Sequence, residues 1–142
     1  MLNRLKNAPI ISYGGEAKFR GQKYDLVFCT WSTPEPHMEH DQYVAWINKT
    51  TGLMDFTQYT IRETYLKPPG YKSISGAVEF RDFKSINGVM IPHDQIVYAG
   101  KLKEDVTKNL HRLTISDFKF DSFEETDLQV DKNIPLGSAS KE

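Results

Sequence analysis

Apolar and polar side chains alternate with a period of two along most of the chain, and β-branched and aromatic residues are enriched in the alternating stretches. This pattern predicts β-strands. The predicted strands form three hairpins and one further strand: 15–20 with 23–33, 42–48 with 53–63, 74–86 with 89–99, and 111–121. Gly21-Gln22 suits a type II′ turn, and Asn87-Gly88 is the strongest short hairpin signal in the chain. We therefore expect a mainly β fold, an antiparallel meander of about six to eight strands.

The alternation slips by one residue at Arg81-Asp82 and again at Ser116-Asp117. A phase slip of this kind is what a β-bulge produces, and bulges bend sheets. Gly14-Gly15 indicates a turn or a further bulge. The sequence therefore predicts a strongly curved antiparallel sheet, bent at Asp82 and Asp117.

The length of 142 residues is typical of one domain with one core. We expect a single β domain over 1–142, loosely ordered at 1–9 and 137–142. Helix is expected only as a minor element. Leu2 and Leu5 could lie on one side of a short N-terminal helix, and Ser-Phe-Glu-Glu at 122–125 resembles a capping box.

Charge and targeting signals narrow the function classes. Lys plus Arg is 18 and Asp plus Glu is 19, a net charge of −1, which argues against a nucleic-acid partner and against a polybasic membrane-surface protein. No apolar run is long enough for a transmembrane segment, and the start of the chain as given carries no signal peptide. Cys29 is the only cysteine, which excludes an intramolecular disulfide and a cysteine-only zinc site.

Candidate chemistry is sparse. The densest polar cluster is His37-Met-Glu39-His40-Asp41, in which His37 and His40 are the candidate metal ligands. The prolines before the cluster favour a solvated loop instead, and we expect no metal or other cofactor. Cys29 has the chemistry of a nucleophile, but its position among apolar strand residues predicts a small buried hydrophobe. Because no acid–base or nucleophile constellation is present, we expect a protein that is not an enzyme.

Aromatic residues are more informative than polar ones. Those on predicted strands include Trp31, Tyr43, Trp46, Tyr59, Phe80 and Tyr98, which are the candidate ligand contacts. One interpretation is an ordinary core. The other is that one concave face of the sheet lines an apolar pocket for a ligand. The strand charges Arg62, Glu63 and Arg81 would then mark the wet face, where arginines at the rim could meet an anionic head group.

Strands 24–31 and 43–47 are apolar on both faces. A sheet with one face in water should alternate cleanly, so both faces need a cover. The sheet could curl around its own interior, or a ligand, a partner or a further segment could provide the cover. The exposure of these apolar side chains to water would favour a homodimer that buries the same patch on both copies. The patch comprises Val27, Trp31, Val44 and Trp46.

Several runs in the chain resemble a family of uncharacterised bacterial proteins, many of them predicted lipoproteins. The runs are Tyr24–Val27, Trp31, Asp41–Asn48, Thr51–Leu53, Tyr59–Glu63, Phe80–Lys84, Asn87–Pro92 and Leu113–Phe118, within about residues 13–121. The Asn-Gly-Val-x-Ile-Pro run after a bent strand is also similar to the outer-membrane lipoprotein carrier and receptor proteins. Their fold is a strongly curved, unclosed antiparallel barrel with helices against its concave face, so the resemblance implies an open half-barrel for this chain.

The resemblance implies a periplasmic or other cell-envelope location and a hydrophobic cavity for acyl chains, with no catalytic residues to transfer. Members of the family have a further N-terminal half, which contains helices, before the segment that begins here near Ile10. This chain would then be a piece of a longer protein, or a short member that compensates by assembling. We expect a non-enzymatic binding module for a lipid, acyl chain or other hydrophobic ligand, with a homodimeric interaction domain as the alternative.

Overall fold

The computed structural model describes residues 5–31, 39–62, 70, 74–105 and 108–120. In these residues seven strands form one antiparallel sheet, and their order in the sheet is their order in the chain. The strands are β1 (Ile10–Phe19), β2 (Gln22–Thr30), β3 (Gln42–Asn48), β4 (Met54–Thr60), β5 (Ser75–Ile86), β6 (Val89–Ala99) and β7 (His111–Thr114). Because β1 and β7 are the two edges, the sheet is open. The predicted mainly β fold, an open antiparallel sheet, is confirmed.

Helix is almost absent from the described residues. Only residues 5–6 are helical, and the Ala8 amide just after them donates to the Leu5 carbonyl oxygen at 3.3 Å. The predicted capping box at 122–125 lies outside the described residues, as does 137–142. No helix in the described part of the chain is long and apolar enough to cross a membrane.

Two hairpin turns are built from residues with positive φ. Asn87 and Gly88 have φ of 50° and 80°, which is the type I′ conformation that matches strand twist, and this turn lies where the sequence predicts it. The first hairpin also has a type I′ turn, at Arg20 and Gly21, with φ of 47° and 77°. The predicted type II′ turn at Gly21-Gln22 is therefore wrong by one position, because Arg20 adopts a φ that non-glycine residues seldom take.

The phase slip in β5 comes from one residue, Asp82, with φ of 50°. Arg81 and Phe83 pair with β6 in the same register, so no extra residue is inserted and the expected β-bulge is absent there. The left-handed residue reverses the alternation instead, which places Phe80 and Phe83 on the same side of the sheet. The predicted change of alternation at Arg81-Asp82 is present, but a left-handed residue causes it rather than a β-bulge.

The second predicted slip lies beyond the last strand. β7 ends at Thr114, whereas the sequence predicts a strand over 111–121, and Asp117 with φ of 53° follows it. One further backbone bond, from the Ile115 amide to the His93 carbonyl at 2.8 Å, continues the ladder. Asp117 therefore lies outside the strands, and the prediction of a β-bulge within the last strand is wrong at this position.

Two register shifts mark true bulges in the sheet. One lies in β1 between Tyr13 and Glu16, where Gly15 has φ of 91°, so the Gly14-Gly15 pair is a bulge rather than a turn. The other lies between β3 and β4, at Trp46 and Ile47. The second shift has no glycine to signal it and no counterpart in the sequence prediction.

Both faces of the sheet carry buried apolar clusters, and the chain itself covers part of each. We name one the cavity face. Its buried cluster comprises Leu5, Ala8, Cys29 and Tyr43, with Val27, Trp31, Met54 and Tyr59 packed against it. We name the other the charged face. Its buried clusters comprise Phe19, Tyr24, Phe56, Ala77, Ile96 and Tyr98, with Leu26, Trp46 and Leu102 packed against them.

These clusters weaken the argument that strands 24–31 and 43–47 need a second copy of the chain to cover them. Val27 and Trp31 pack beneath Leu5 of the N-terminal segment, and Trp46 packs among the aromatic rings of the charged face. Three of the side chains expected to need a partner are thus half-buried by the chain itself. The larger exposed apolar side chains lie elsewhere, chiefly toward β6 and β7.

Gly76 in β5 permits a close approach of Tyr59. A Cβ on Gly76 would lie 2.7 Å from the Tyr59 hydroxyl and 3.1 Å from the Tyr98 carbonyl oxygen. We expect Gly76→Ala to lower the free energy of unfolding by about 1–2 kcal/mol, since the added methyl group displaces the ring of Tyr59, which is stacked on Tyr43. Urea denaturation measures the loss. In a Tyr59→Leu background the same substitution should cost less, and an equal cost in both backgrounds would contradict the steric explanation.

Candidate ligand cavity

A cavity of about 960 Å³ opens on the cavity face, over β5, β6 and β7 and the residues that follow β7. Its apolar wall is built by residues from all three strands, including Val78, Phe80, Phe83, Pro92, Val97 and Leu113. Ile115 and Phe118 close the side beyond β7. This volume is near the upper end of the usual range for small-molecule sites, and the mostly apolar wall suits a hydrophobic ligand.

The strand pairing explains why the wall is continuous. Val78 lies opposite Val97 across the β5–β6 ladder, and Phe83 lies opposite Pro92. An uninterrupted strand would point Phe83 away from Val78, because residues an odd number apart face opposite sides. The left-handed residue Asp82 corrects this, so the cavity wall extends past the bend.

Few polar groups reach the cavity. Among the described lining residues they are Gln95, His111 and Arg112, and none of these residues is a carboxylate. Arg112 is held on the charged face by Asp94, with Nε–Oδ1 at 2.6 Å and Nη2–Oδ2 at 2.9 Å. This hydrogen-bonded carboxylate raises the pKa of Arg112. The site can therefore enclose an apolar chain and offer a small number of hydrogen-bonding groups at its rim.

The six aromatic residues predicted as ligand contacts do not share one site. Phe80 lines the cavity. Trp31, Tyr43 and Tyr59 lie on the same face but belong to the cluster under Leu5, where Trp31 and Tyr43 meet edge to face at 5.7 Å between ring centroids. Met54 packs against that cluster and also lines the cavity, so the two regions are adjacent.

Trp46 and Tyr98 lie on the charged face, away from the cavity. The Trp46 indole Nε1 donates to Gln58 Oε1 at 3.0 Å, and its ring meets those of Phe19, Tyr24 and Phe56. The Tyr98 hydroxyl donates to Glu79 Oε2 at 2.7 Å. The structure therefore divides the predicted set between the two faces of the sheet.

No pattern in the sequence indicates the ion-pair cluster around Glu79. This buried carboxylate accepts hydrogen bonds from Arg20 Nη1 at 3.0 Å, from Arg81 Nε at 2.7 Å and from Tyr98. Burial alone would raise the pKa of Glu79, but these hydrogen bonds and the two positive charges outweigh it, so its pKa is lowered. Alternation along the strand could have predicted that Glu79 lies on the other face of the sheet from its neighbours Val78 and Phe80. Its partner Arg20 is far away in sequence and no local pattern indicates it.

The arginines expected at a wet rim have partners within the chain. Arg81 pairs with Glu79 on the charged face. Arg62 is half-buried, and its Nη1 donates to the carbonyl oxygens of Ile61 and Ile74 at 3.3 and 3.1 Å. Glu63 lies outside the described residues. Neither Arg62 nor Arg81 is among the residues that line the cavity.

Metal and nucleophile chemistry have no assembled site in the described part of the chain. His37 lies outside it, and His40 belongs to no described group of three potential metal ligands. Cys29 is buried, and burial raises the pKa of its thiol, whereas a reactive cysteine needs a lowered pKa. The prediction that Cys29 is a small buried hydrophobe is confirmed.

Comparisons with known proteins give no further identification. No family model, no curated protein and no solved structure matches the chain. The function has to be argued from the geometry and chemistry of the cavity.

Proposed function

We propose that this protein is a non-enzymatic binding module that holds a lipid acyl chain or a similar hydrophobic ligand in the cavity of its sheet. The observation that carries the proposal is the cavity itself, about 960 Å³ with a largely apolar wall. The sequence resemblance to lipoprotein carriers supports the same function and suggests a periplasmic or other cell-envelope location.

The energetics of an acyl chain fit such a site. About twelve buried methylenes would contribute roughly 10 kcal/mol. Association costs at least about 4 kcal/mol in lost freedom of motion. The remainder corresponds to a dissociation constant on the order of tens of micromolar, which is suitable for a ligand that must also be released.

Binding can be measured directly with a fluorescent fatty acid. The protein is first stripped of bound lipid on a hydrophobic resin and then titrated with dansylaminoundecanoic acid. We expect saturable binding with one site per chain and competition by unlabelled fatty acid. Native mass spectrometry of protein taken from cells reports any lipid that co-purifies, together with the number of subunits.

Leu113 and Leu110 provide a matched pair of variants. Both are exposed, at 53% and 65%, but only Leu113 is among the residues that line the cavity. We expect Leu113→Asp to weaken binding of the fluorescent fatty acid about tenfold or more, because it introduces a carboxylate beside the apolar chain. Leu110→Asp should change the affinity less than about twofold. Equal effects of the two substitutions would contradict the assignment of the cavity as the binding site.

A homodimer that covers the cavity is the alternative function. It is favoured by the exposed apolar residues at the cavity mouth, Met90 and Leu113, because exposed patches of this kind often mark interfaces. Analytical ultracentrifugation distinguishes the two functions. A dimer of the lipid-free protein that Leu113→Asp dissociates would support the alternative, whereas a monomer that binds the fatty acid supports the binding module.

A further inference from the structure

The β5–β6 hairpin extends beyond its neighbours in the sheet. β4 pairs with β5 only over 75–79, and β7 pairs with β6 only over 94–97. Within the described sheet, residues 83–92 therefore pair only with each other, in four pairs from Phe83–Pro92 to the turn. We name residues 83–92 the arm. A two-stranded ribbon has little stability alone in water, so an arm of this kind needs something to pack against.

The tip of the arm is apolar on both of its faces. Ile86 pairs with Val89 on one face, and Met90, which pairs with Ser85, lies on the other. Val89 is 49% exposed and Met90 is 42% exposed. A partner seated against one face of the ribbon would leave the other face in water. A medium that surrounds the tip would bury both faces.

The size and charge of the arm fit a lipid surface. Four residues beyond the sheet extend about 13 Å, which is enough for the insertion of about 5–10 Å that interfacial elements make. Lys84 is the only charged residue among 83–92. It forms an exposed pair with Asp82 at 3.3 Å, which contributes little and leaves the lysine able to meet anionic head groups. Three apolar side chains at the tip fall well short of the roughly 800 Å² per partner of a stable dimer.

We infer that the arm is a membrane-docking element whose tip inserts into the surface of a bilayer containing anionic lipid. This inference rests on the proposed function, because Phe83, Met90 and Pro92 belong both to the arm and to the cavity wall. A ligand leaving the bilayer would pass along this continuous apolar surface into the cavity. The arm thus provides the route by which a lipid-binding cavity is loaded or emptied.

The test is co-sedimentation of the full chain with vesicles of phosphatidylcholine containing phosphatidylglycerol. We expect the double variant Val89→Asp/Met90→Asp to reduce the partition constant about tenfold or more, and the milder Val89→Ser/Met90→Ser to reduce it in the same direction. Ile11→Asp is the matched control, since Ile11 is 54% exposed on β1, away from the arm. Circular dichroism confirms that each variant is folded, and binding of the fluorescent fatty acid is measured in parallel.

Loss of vesicle binding in the tip variants, with the control unchanged, supports the docking element. Failure of the parent to bind vesicles would overturn it, as would an equal loss in Ile11→Asp. A dimer in solution that the tip substitutions dissociate would also overturn it, because the tip would then be a contact between two copies. Vesicle binding by a parent that takes up no fatty acid would support the docking element and overturn the proposed function.

Discussion

Replacing Phe56 with alanine should lower the free energy of unfolding by about 3–5 kcal/mol, the range for removing a buried phenylalanine side chain. Phe56 is buried at the centre of the charged-face cluster. Its ring meets those of Phe19, Tyr24 and Trp46 edge to face, with centroid distances of 5.3, 5.7 and 6.2 Å. Deleting it would leave a cavity and remove three aromatic contacts at once.

Guanidinium chloride denaturation followed by tryptophan fluorescence measures this loss, because Trp46 lies beside the substituted ring. Phe120→Ala is the matched control, since Phe120 is exposed and its ring contacts that of Phe118. We expect the control to cost less than about 1 kcal/mol. A similar cost for both substitutions would mean that the cluster around Phe56 is not the main core of the sheet.

Strand positions could be predicted because they depend on local patterns. Period-two alternation located β2 to β6 closely, and the Asn87-Gly88 turn fixed the ends of the third hairpin. β1 begins at Ile10, five residues before the predicted strand 15–20, because the bulge at Gly14-Gly15 interrupts its alternation. The errors have local physical causes as well. Arg20 adopts a left-handed φ, which moves the first turn by one residue. The last strand is shorter than predicted: β7 ends at Thr114, and Asp117 beyond it has a left-handed φ.

The grouping of the aromatic residues could not be predicted from alternation within single strands. Whether Trp31 and Trp46 share a face depends on the register between β2 and β3, in which Leu26 lies opposite Trp46. That register places Trp46 on the charged face and Trp31 on the cavity face. Register is set by turns and bulges, and eleven residues separate the end of β2 at Thr30 from the start of β3 at Gln42, so no short hairpin turn in the sequence indicates this register.

The cavity was anticipated as a concave apolar face, but its position was not. Of the six aromatic residues predicted as ligand contacts, only Phe80 lines the cavity. The apolar residues of strands 24–31 and 43–47, which were expected to need a cover, are largely packed within the clusters of the two faces. The cavity lies further along the sheet, where β5 and β6 extend beyond their pairing with β4 and β7. This difference in strand length follows from long-range pairing, which a single sequence does not show.

Replacing Glu79 with glutamine should lower the free energy of unfolding at pH 7 by about 2–3 kcal/mol, since hydrogen bonds to a buried charged group contribute about 1.5–3 kcal/mol. The substitution keeps the shape of the side chain and removes the negative charge that faces Arg20 and Arg81. Both arginines are partly exposed and regain some hydration, which keeps the expected loss below that of a fully buried ion pair.

The pH dependence of this loss identifies the charge as its cause. The folded protein lowers the pKa of Glu79, so the carboxylate stabilises the fold above the unfolded pKa of about 4.3. That stabilisation disappears as the pH falls through the lower folded pKa. Urea denaturation at a series of pH values should therefore show that the difference in the free energy of unfolding between parent and Glu79→Gln shrinks below about pH 4.

Asp82→Asn is the matched control, because Asp82 is an exposed carboxylate paired with Lys84. Asparagine tolerates the positive φ at this position equally well. We expect this substitution to lower the free energy of unfolding by less than about 0.5 kcal/mol. A difference for Glu79→Gln that stayed constant from neutral to acid pH would show that lost packing, rather than the lost charge, destabilises the variant.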